Sequence, residues 1–122
     1  GNIYVNLDAV GAVLASYLDK PRVYIGCMKS GPIITQPEQK WYEPEWWKFG
    51  DGKSYFRHAS GDIFAISKAL AQFISINKLI LSTYAHDDVS AGSWFIGLDV
   101  KQVFEGKFCC SSWSSGSVCT AA

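Results

Sequence analysis

The hydrophobic period changes twice between Ile3 and Cys27, and that change limits the possible folds more than any other feature. Ile3, Val5 and Leu7 alternate with Tyr4 and Asn6, the pattern of a strand with one buried face. From Asp8 the period lengthens: Val10, Val13, Leu14, Tyr17 and Leu18 share one helical face, and Asn6 or Asp8 is placed to cap its start. Asp19-Lys20-Pro21 ends the helix, because proline cannot continue it. Arg22 to Cys27 is then a second strand. Strand, helix and strand at this spacing form a βαβ-like unit, which predicts an α/β chain with a mixed sheet covered by helices. At 122 residues, with no internal repeat or linker, the chain makes one domain with a real core.

Eleven basic and eleven acidic residues balance, which argues against nucleic acid or an anionic membrane as a partner. No run of about 18 apolar residues is present to span a bilayer. The chain starts at Gly1 and opens directly into a sheet-like segment, so it reads as a fragment whose upstream part is missing. Cys27, Cys109, Cys110 and Cys119 match no zinc-ligand spacing. They allow three full pairings; a short link from Cys109 or Cys110 to Cys119 and buried free thiols both stand open. There is no Asn-x-Ser/Thr sequon.

Residues 29–51 are broken by Gly31, Pro32, Pro37, Pro44 and Gly50, yet carry Trp41, Tyr42, Trp46, Trp47 and Phe49 with Glu43 and Glu45 between them. Such a loop either lines a site or covers a satellite hydrophobic cluster. Tyr55 to Asp62 is expected to lead into a helix carrying Ile66, Leu70, Phe73 and Ile74. Ser60-Gly61 before that helix is either a plain N-cap or a step that lets a ligand approach the backbone, where a helix N-terminus would favour an anion such as a diphosphate. His58 reads as a packed or solvated histidine. Leu79, Ile80, Leu81 and Tyr84 predict a second helix or a continuation past Asn77. Gly97 to Val103 suggests a turn into a short strand, and the tail from Lys107 is rich in Ser, Gly and Cys.

In His86-Asp87-Asp88-Val89 two adjacent acids meet the short apolar run Val89 to Gly97. One aspartate is a natural N-cap for a helix starting there. The other is left over, and a spare carboxylate beside a helix start is a candidate general base.

Taken together these segments resemble the β-1,3-galactosyltransferases. The resemblance is carried by Ile3-Tyr4-Val5-Asn6-Leu7-Asp8, Arg22-Val23-Tyr24-Ile25-Gly26, Tyr55-Phe56-Arg57-His58-Ala59-Ser60-Gly61 and Asp87-Asp88-Val89-Ser90-Ala91-Gly92-Ser93-Trp94-Phe95, in that order. Trp41-Tyr42-Glu43-Pro44-Glu45-Trp46-Trp47-Lys48-Phe49-Gly50 and Gly106-Lys107-Phe108-Cys109-Cys110-Ser111-Ser112-Trp113 are similar to the plant hydroxyproline O-galactosyltransferase branch.

The resemblance implies a GT-A fold with a mainly parallel sheet flanked by helices, residues 1–122 forming the C-terminal part of one catalytic domain. It implies a Golgi enzyme with a single N-terminal membrane anchor, moving galactose with inversion from UDP-galactose to a glycoprotein hydroxyproline and using a divalent metal, usually manganese. In the family the second acid of the pair, here Asp88, takes the acceptor's proton, and Asp87 stands in the first acid's place. Ser60 and Gly61 would approach donor or acceptor, and Trp46, Trp47 and Glu45 would shape the acceptor groove. The family's metal motif, Asp-x-Asp, would end at the position of Asn2, which has no charge to offer. Gln102 and Phe104 stand where that branch often carries His and Asp. No metal ligand is therefore assigned, and the 122-residue chain alone is expected to be inactive. The second reading is a non-catalytic carbohydrate-binding or scaffolding relative that has lost its metal motif; Asn2 favours it.

Overall fold

A computed structural model describes residues 3–17, 19–110 and 119–121. Gly1, Asn2, Leu18, Ser111, Ser112 and Trp113 lie outside the described residues, as does the side chain of Cys119. The readings that rest on them, the metal position at Asn2 above all, therefore lie outside it too.

The elements run β1 (Ile3–Val5), α1 (Leu7–Leu14), β2 (Val23–Lys29), β3 (His58–Ile66), α2 (Lys68–Asn77), α3 (Asp87–Phe95), β4 (Lys101–Phe104) and β5 (Cys119–Ala121). Short 3-10 turns cover Ala15–Tyr17, Trp46–Lys48 and Gly106–Phe108. α1 starts as expected, with Asn6 Oδ1 accepting the Ala9 N–H at 3.1 Å.

β2 is the centre of the fold. It pairs antiparallel with β3 and parallel with β4. Val23, Tyr24, Ile25, Cys27 and Met28 are all buried, because helices cover both faces. Val23 and Ile25 pack with Val13 and Phe108, with Val10 and Leu14 of α1 beside them. Tyr24 and Met28 face the other way, onto Ala59, Leu70 of α2 and Phe95 of α3. A disulfide joins Cys27 to Cys109, 82 residues apart, tying β2 to the turn after β4. None of the described cysteines is a free thiol.

Four expectations change. First, β1 does not lie beside β2. Both edges of β2 are occupied, and β1 instead pairs antiparallel with β5. Second, the sheet is mixed but not mainly parallel among the described residues, since one of its two ladders is antiparallel. The loop after β2 closes on itself, so β3 must run back. Third, Ser60-Gly61 does not precede a helix. Both residues lie within β3, and α2 begins only at Lys68, after its N-cap Ser67. Fourth, no helix follows Asn77. Its side-chain Nδ2 donates to the Phe73 carbonyl at 2.9 Å, and Leu79 and Ile80 project into solvent. Residues 81–85 are instead held along α3. Trp94 Nε1 donates to the Ser82 carbonyl at 2.7 Å, and the Tyr84 N–H donates to Ser90 Oγ at 2.8 Å.

Among the described residues no helix is long and apolar enough to cross a membrane.

Candidate active site

Two irregularities build the site. The first is a slip in the β2–β3 ladder. Gly26 pairs with Phe64, but the next residue, Cys27, pairs with Ser60, so Gly61, Asp62 and Ile63 bulge out of β3. Gly61 has φ +92°, a conformation that disfavours any residue with a Cβ. The bulge turns its N–H away from β2 and toward Asp88, whose Oδ2 accepts at 3.3 Å. Ser60 stays with the ladder, its Oγ donating to the Cys27 carbonyl at 3.2 Å.

The second is the close approach of α3 to β3. Ser90, Ala91 and Gly92 are buried and small. A Cβ on Gly92 would stand 2.6 Å from the His58 Cβ, so no larger residue fits without movement. Gly92 lies one turn after Asp88 and on the same side of the helix, which brings the carboxylate against β3.

Asp87 and Asp88 occupy the first turn of α3, and neither is the cap; that place belongs to His86, whose side chain does not cap. The expected N-cap aspartate is therefore not found, and Asp88 alone makes two backbone contacts. Asp88 Oδ1 accepts the Val89 N–H at 2.9 Å, while Oδ2 faces Gly61 and lies 3.7 Å from His58 Nε2. The latter distance is that of a charge pair rather than a hydrogen bond. Burial pushes the Asp88 carboxyl up, but His58 and the Gly61 and Val89 N–H groups outweigh it and hold the acid below its ordinary value. Burial likewise pulls His58 down, yet Asp88 and the Phe56 carbonyl hold it above its ordinary value.

These groups face an open cavity of about 620 Å³. Its walls include Lys29, Pro32, Ile34, Trp41, Tyr55, His58, Ser60, Gly61, His86, Asp87 and Asp88. The structure thus brings together Asp87, Asp88, Ser60 and Gly61. It leaves Glu45, Trp46 and Trp47 out of this lining. Glu45 pairs with Lys48 at 2.7 Å, and Lys48 Nζ lies 5.4 Å from the Trp47 ring centre. The aromatic loop divides between its two readings. Phe49 and Tyr55 form a buried cluster with Ile33 and Val89, whereas Trp41 stands exposed at the cavity rim beside His86, ring centres 5.5 Å apart.

His58, read from the sequence as packed or solvated, is packed and also lines the cavity, while Trp41 and Glu43 carried no individual role in the sequence. Glu43 is fully buried and holds the loop to the start of α3: its carboxylate accepts from the Ala85 N–H at 3.2 Å, the Glu45 N–H at 3.2 Å and the Tyr55 hydroxyl at 3.4 Å. Its setting between aromatic residues was the available signal. A second cleft, of about 590 Å³, lies at the other end of β2 between Tyr17, Pro21 and Ser67, but it gathers no histidine and no acid besides Asp19. Among the described residues no group of three His, Cys, Asp or Glu is arranged to hold a metal ion. Gln102 Nε2 donates to the Arg57 carbonyl at 3.4 Å, and Phe104 is exposed. The described residues alone do not supply a metal site.

The galactosyltransferase family model matches residues 1–105. Hydroxyproline O-galactosyltransferase HPGT1 of Arabidopsis thaliana is 67% identical over 118 residues, covering 97% of this chain and 35% of the relative. Beta-1,3-galactosyltransferase 7 of the same plant is 51% identical over 135 residues, covering 99% of this chain and 34% of the relative. Hydroxyproline O-galactosyltransferase HPGT3 is 49% identical over 121 residues, covering 99% and 35%. The chain therefore spans about a third of the length of the curated relatives it matches. With a family model covering most of its length and a relative two-thirds identical, the chain belongs to the galactosyltransferase family.

Proposed function

We propose that this chain forms the acceptor side of an inverting hexosyltransferase of GT-A fold, with Asp88 as the general base. The observation that carries this reading is the Asp88 carboxylate. It is half-buried at the cavity wall, ionised, and fixed by two backbone N–H groups while still reachable from the cavity. In the proposed step an acceptor hydroxyl attacks the anomeric carbon of the donor sugar. The new C–O bond forms as the bond to the leaving diphosphate breaks on the opposite face, and Asp88 takes the hydroxyl proton. A carboxylate held below its ordinary value is a weak base, but the hydroxyl becomes strongly acidic only as its oxygen bonds to carbon, so transfer comes late.

The donor in this proposal is UDP-galactose and the acceptor a hydroxyproline in a glycoprotein; the likeness to the hydroxyproline O-galactosyltransferases HPGT1 and HPGT3 supports the acceptor. Trp41 offers an exposed ring at the rim of the same cavity, suited to the C–H face of a sugar or a pyrrolidine ring. A divalent metal, manganese in this proposal, would neutralise the diphosphate. The proposed setting is the Golgi lumen, with an N-terminal membrane anchor in the longer polypeptide.

The test is Asp88→Asn in a full-length enzyme carrying this segment, assayed with UDP-galactose and hydroxyproline peptides. The substitution is expected to lower kcat by about 10³-fold while donor binding stays intact. Wild-type turnover by that variant would remove the base assignment. Activity that survives exhaustive chelation would remove the metal.

A further inference from the structure

His58 is 3% exposed at the first position of β3. Its Nδ1 lies 2.9 Å from the Phe56 carbonyl oxygen, and its Nε2 lies 3.7 Å from Asp88 Oδ2. A carbonyl oxygen only accepts, so Nδ1 carries a hydrogen. In a neutral ring Nε2 would then turn a lone pair toward a carboxylate oxygen. An imidazolium turns an N–H there instead, and both ring nitrogens meet acceptors.

We propose that His58, as an imidazolium, is a positioning residue for Asp88: it keeps Oδ2 against the Gly61 N–H and so keeps the carboxylate ionised and correctly turned for proton transfer. The inference rests on Asp88 being the base. The ring has little freedom to do otherwise. Its Cβ lies where a Cβ on Gly92 would collide, and the Tyr55 and Phe56 rings stand edge-on to it at 6.0 and 5.8 Å. The titratable groups around it come from four sides. Asp88 approaches from α3, and Tyr55 from the segment before β3. Lys29 is its cross-strand partner on β2 and is exposed. Tyr24 accepts from the neighbouring Ala59 N–H. Asp87 and His86 stand on the cavity wall. Asp88 is the carboxylate paired with the ring, and the elevated affinity of His58 for its proton agrees with that pairing. When Asp88 takes up the acceptor's proton, the pair loses its attraction, so the imidazolium favours quick return of the carboxylate to its charged form.

The test uses a full-length enzyme carrying this segment, with ring-labelled histidine observed by NMR. His58 is expected to stay doubly protonated at pH values above 6.5, the ordinary midpoint, and Asp88→Asn is expected to lower its proton affinity. His58→Gln keeps an N–H donor but no charge. It is expected to lower kcat roughly ten- to a hundredfold, leave KM for the sugar nucleotide unchanged and remove the basic limb of the kcat–pH profile. The proposal is overturned by a His58 ring that is neutral at pH 6.5 and indifferent to Asp88→Asn, or by wild-type kcat in His58→Gln. If His58→Gln does not fold, the NMR titrations of the wild type and of Asp88→Asn decide alone. An inactive Asp88→Asn enzyme with an unchanged His58 titration sinks this proposal and leaves the base standing. An active Asp88→Asn enzyme sinks the base itself.

Discussion

The starts of α1 and α3 solve the same problem in different ways. Each leaves backbone N–H groups without partners in its first turn. α1 answers with a neutral side chain ahead of the helix, Asn6, whose oxygen takes the Ala9 N–H. α3 has no side-chain cap, and two acids fill its first turn. Asp88 satisfies one helical N–H with one oxygen and sends the other across to β3. The helix dipole favours an anion at that position, so structure and charge support each other. A helix capped from outside is finished as a structure. One that relies on its own first-turn acid holds a charged group in place for use elsewhere.

The largest break in this contrast should come from Gly92→Ala. The added methyl meets the His58 Cβ at 2.6 Å, which pushes α3 off β3 and carries Asp88 with it. A loss of about 2–3 kcal/mol in stability is expected by denaturant unfolding, with loss of turnover in the longer enzyme. Glu43→Ala ranks next. It strips a buried acceptor from the Ala85 and Glu45 N–H groups and from the Tyr55 hydroxyl, at an expected cost of about 2 kcal/mol. Hydrogen exchange should then rise at the start of α3 and stay unchanged in α1; equal loosening of both would show that Glu43 does not act locally. Asn6→Ala removes only a cap, about 1 kcal/mol, and should leave kcat untouched. The smallest effect is that of pH. The Asp88 contribution is full above 3.8 and fades as pH falls through the lower value of the folded protein. The His58 contribution is full below 6.5 and fades as pH rises through the higher value of the folded protein. After correction for intrinsic rates, protection of the Gly61 and Val89 amides should therefore peak between those limits, while that of Ala9 stays flat.

What could be read from the sequence follows from how local each feature is. α1, its Asn6 cap and β2 were legible because period and breakers lie within the segments themselves. β3 was not, because the slip at Gly61 to Ile63 destroys the alternation that marks a strand, and the helical spacing of Leu70, Phe73 and Ile74 was extended back over Ile66. The predicted helix after Asn77 failed because its backbone is claimed by Ser90 and Trp94, residues of another element. At the site, Asp88 carried its own signal in the acidic pair. His58 did not, since its partner lies 30 residues on, nor did Glu43, whose contact with Ala85 spans 42. Trp41 and Trp47 look alike in the sequence, and only the path of the loop sends one to the cavity.

That path begins at a closed neck. The Tyr55 N–H donates to the Gly31 carbonyl, the Ile33 N–H donates to the Lys53 carbonyl, and Pro32 bridges Ser54. A loop pinched shut at its root is a unit of exchange. Residues beyond the pinch can be lengthened, shortened or replaced without changing where β2 ends or β3 begins. The scaffold and the Asp88 carboxylate can therefore stay constant while the loop diversifies what the cavity admits, provided each replacement keeps a buried acceptor where Glu43 now meets Ala85 and an apolar group where Phe49 now packs with Val89.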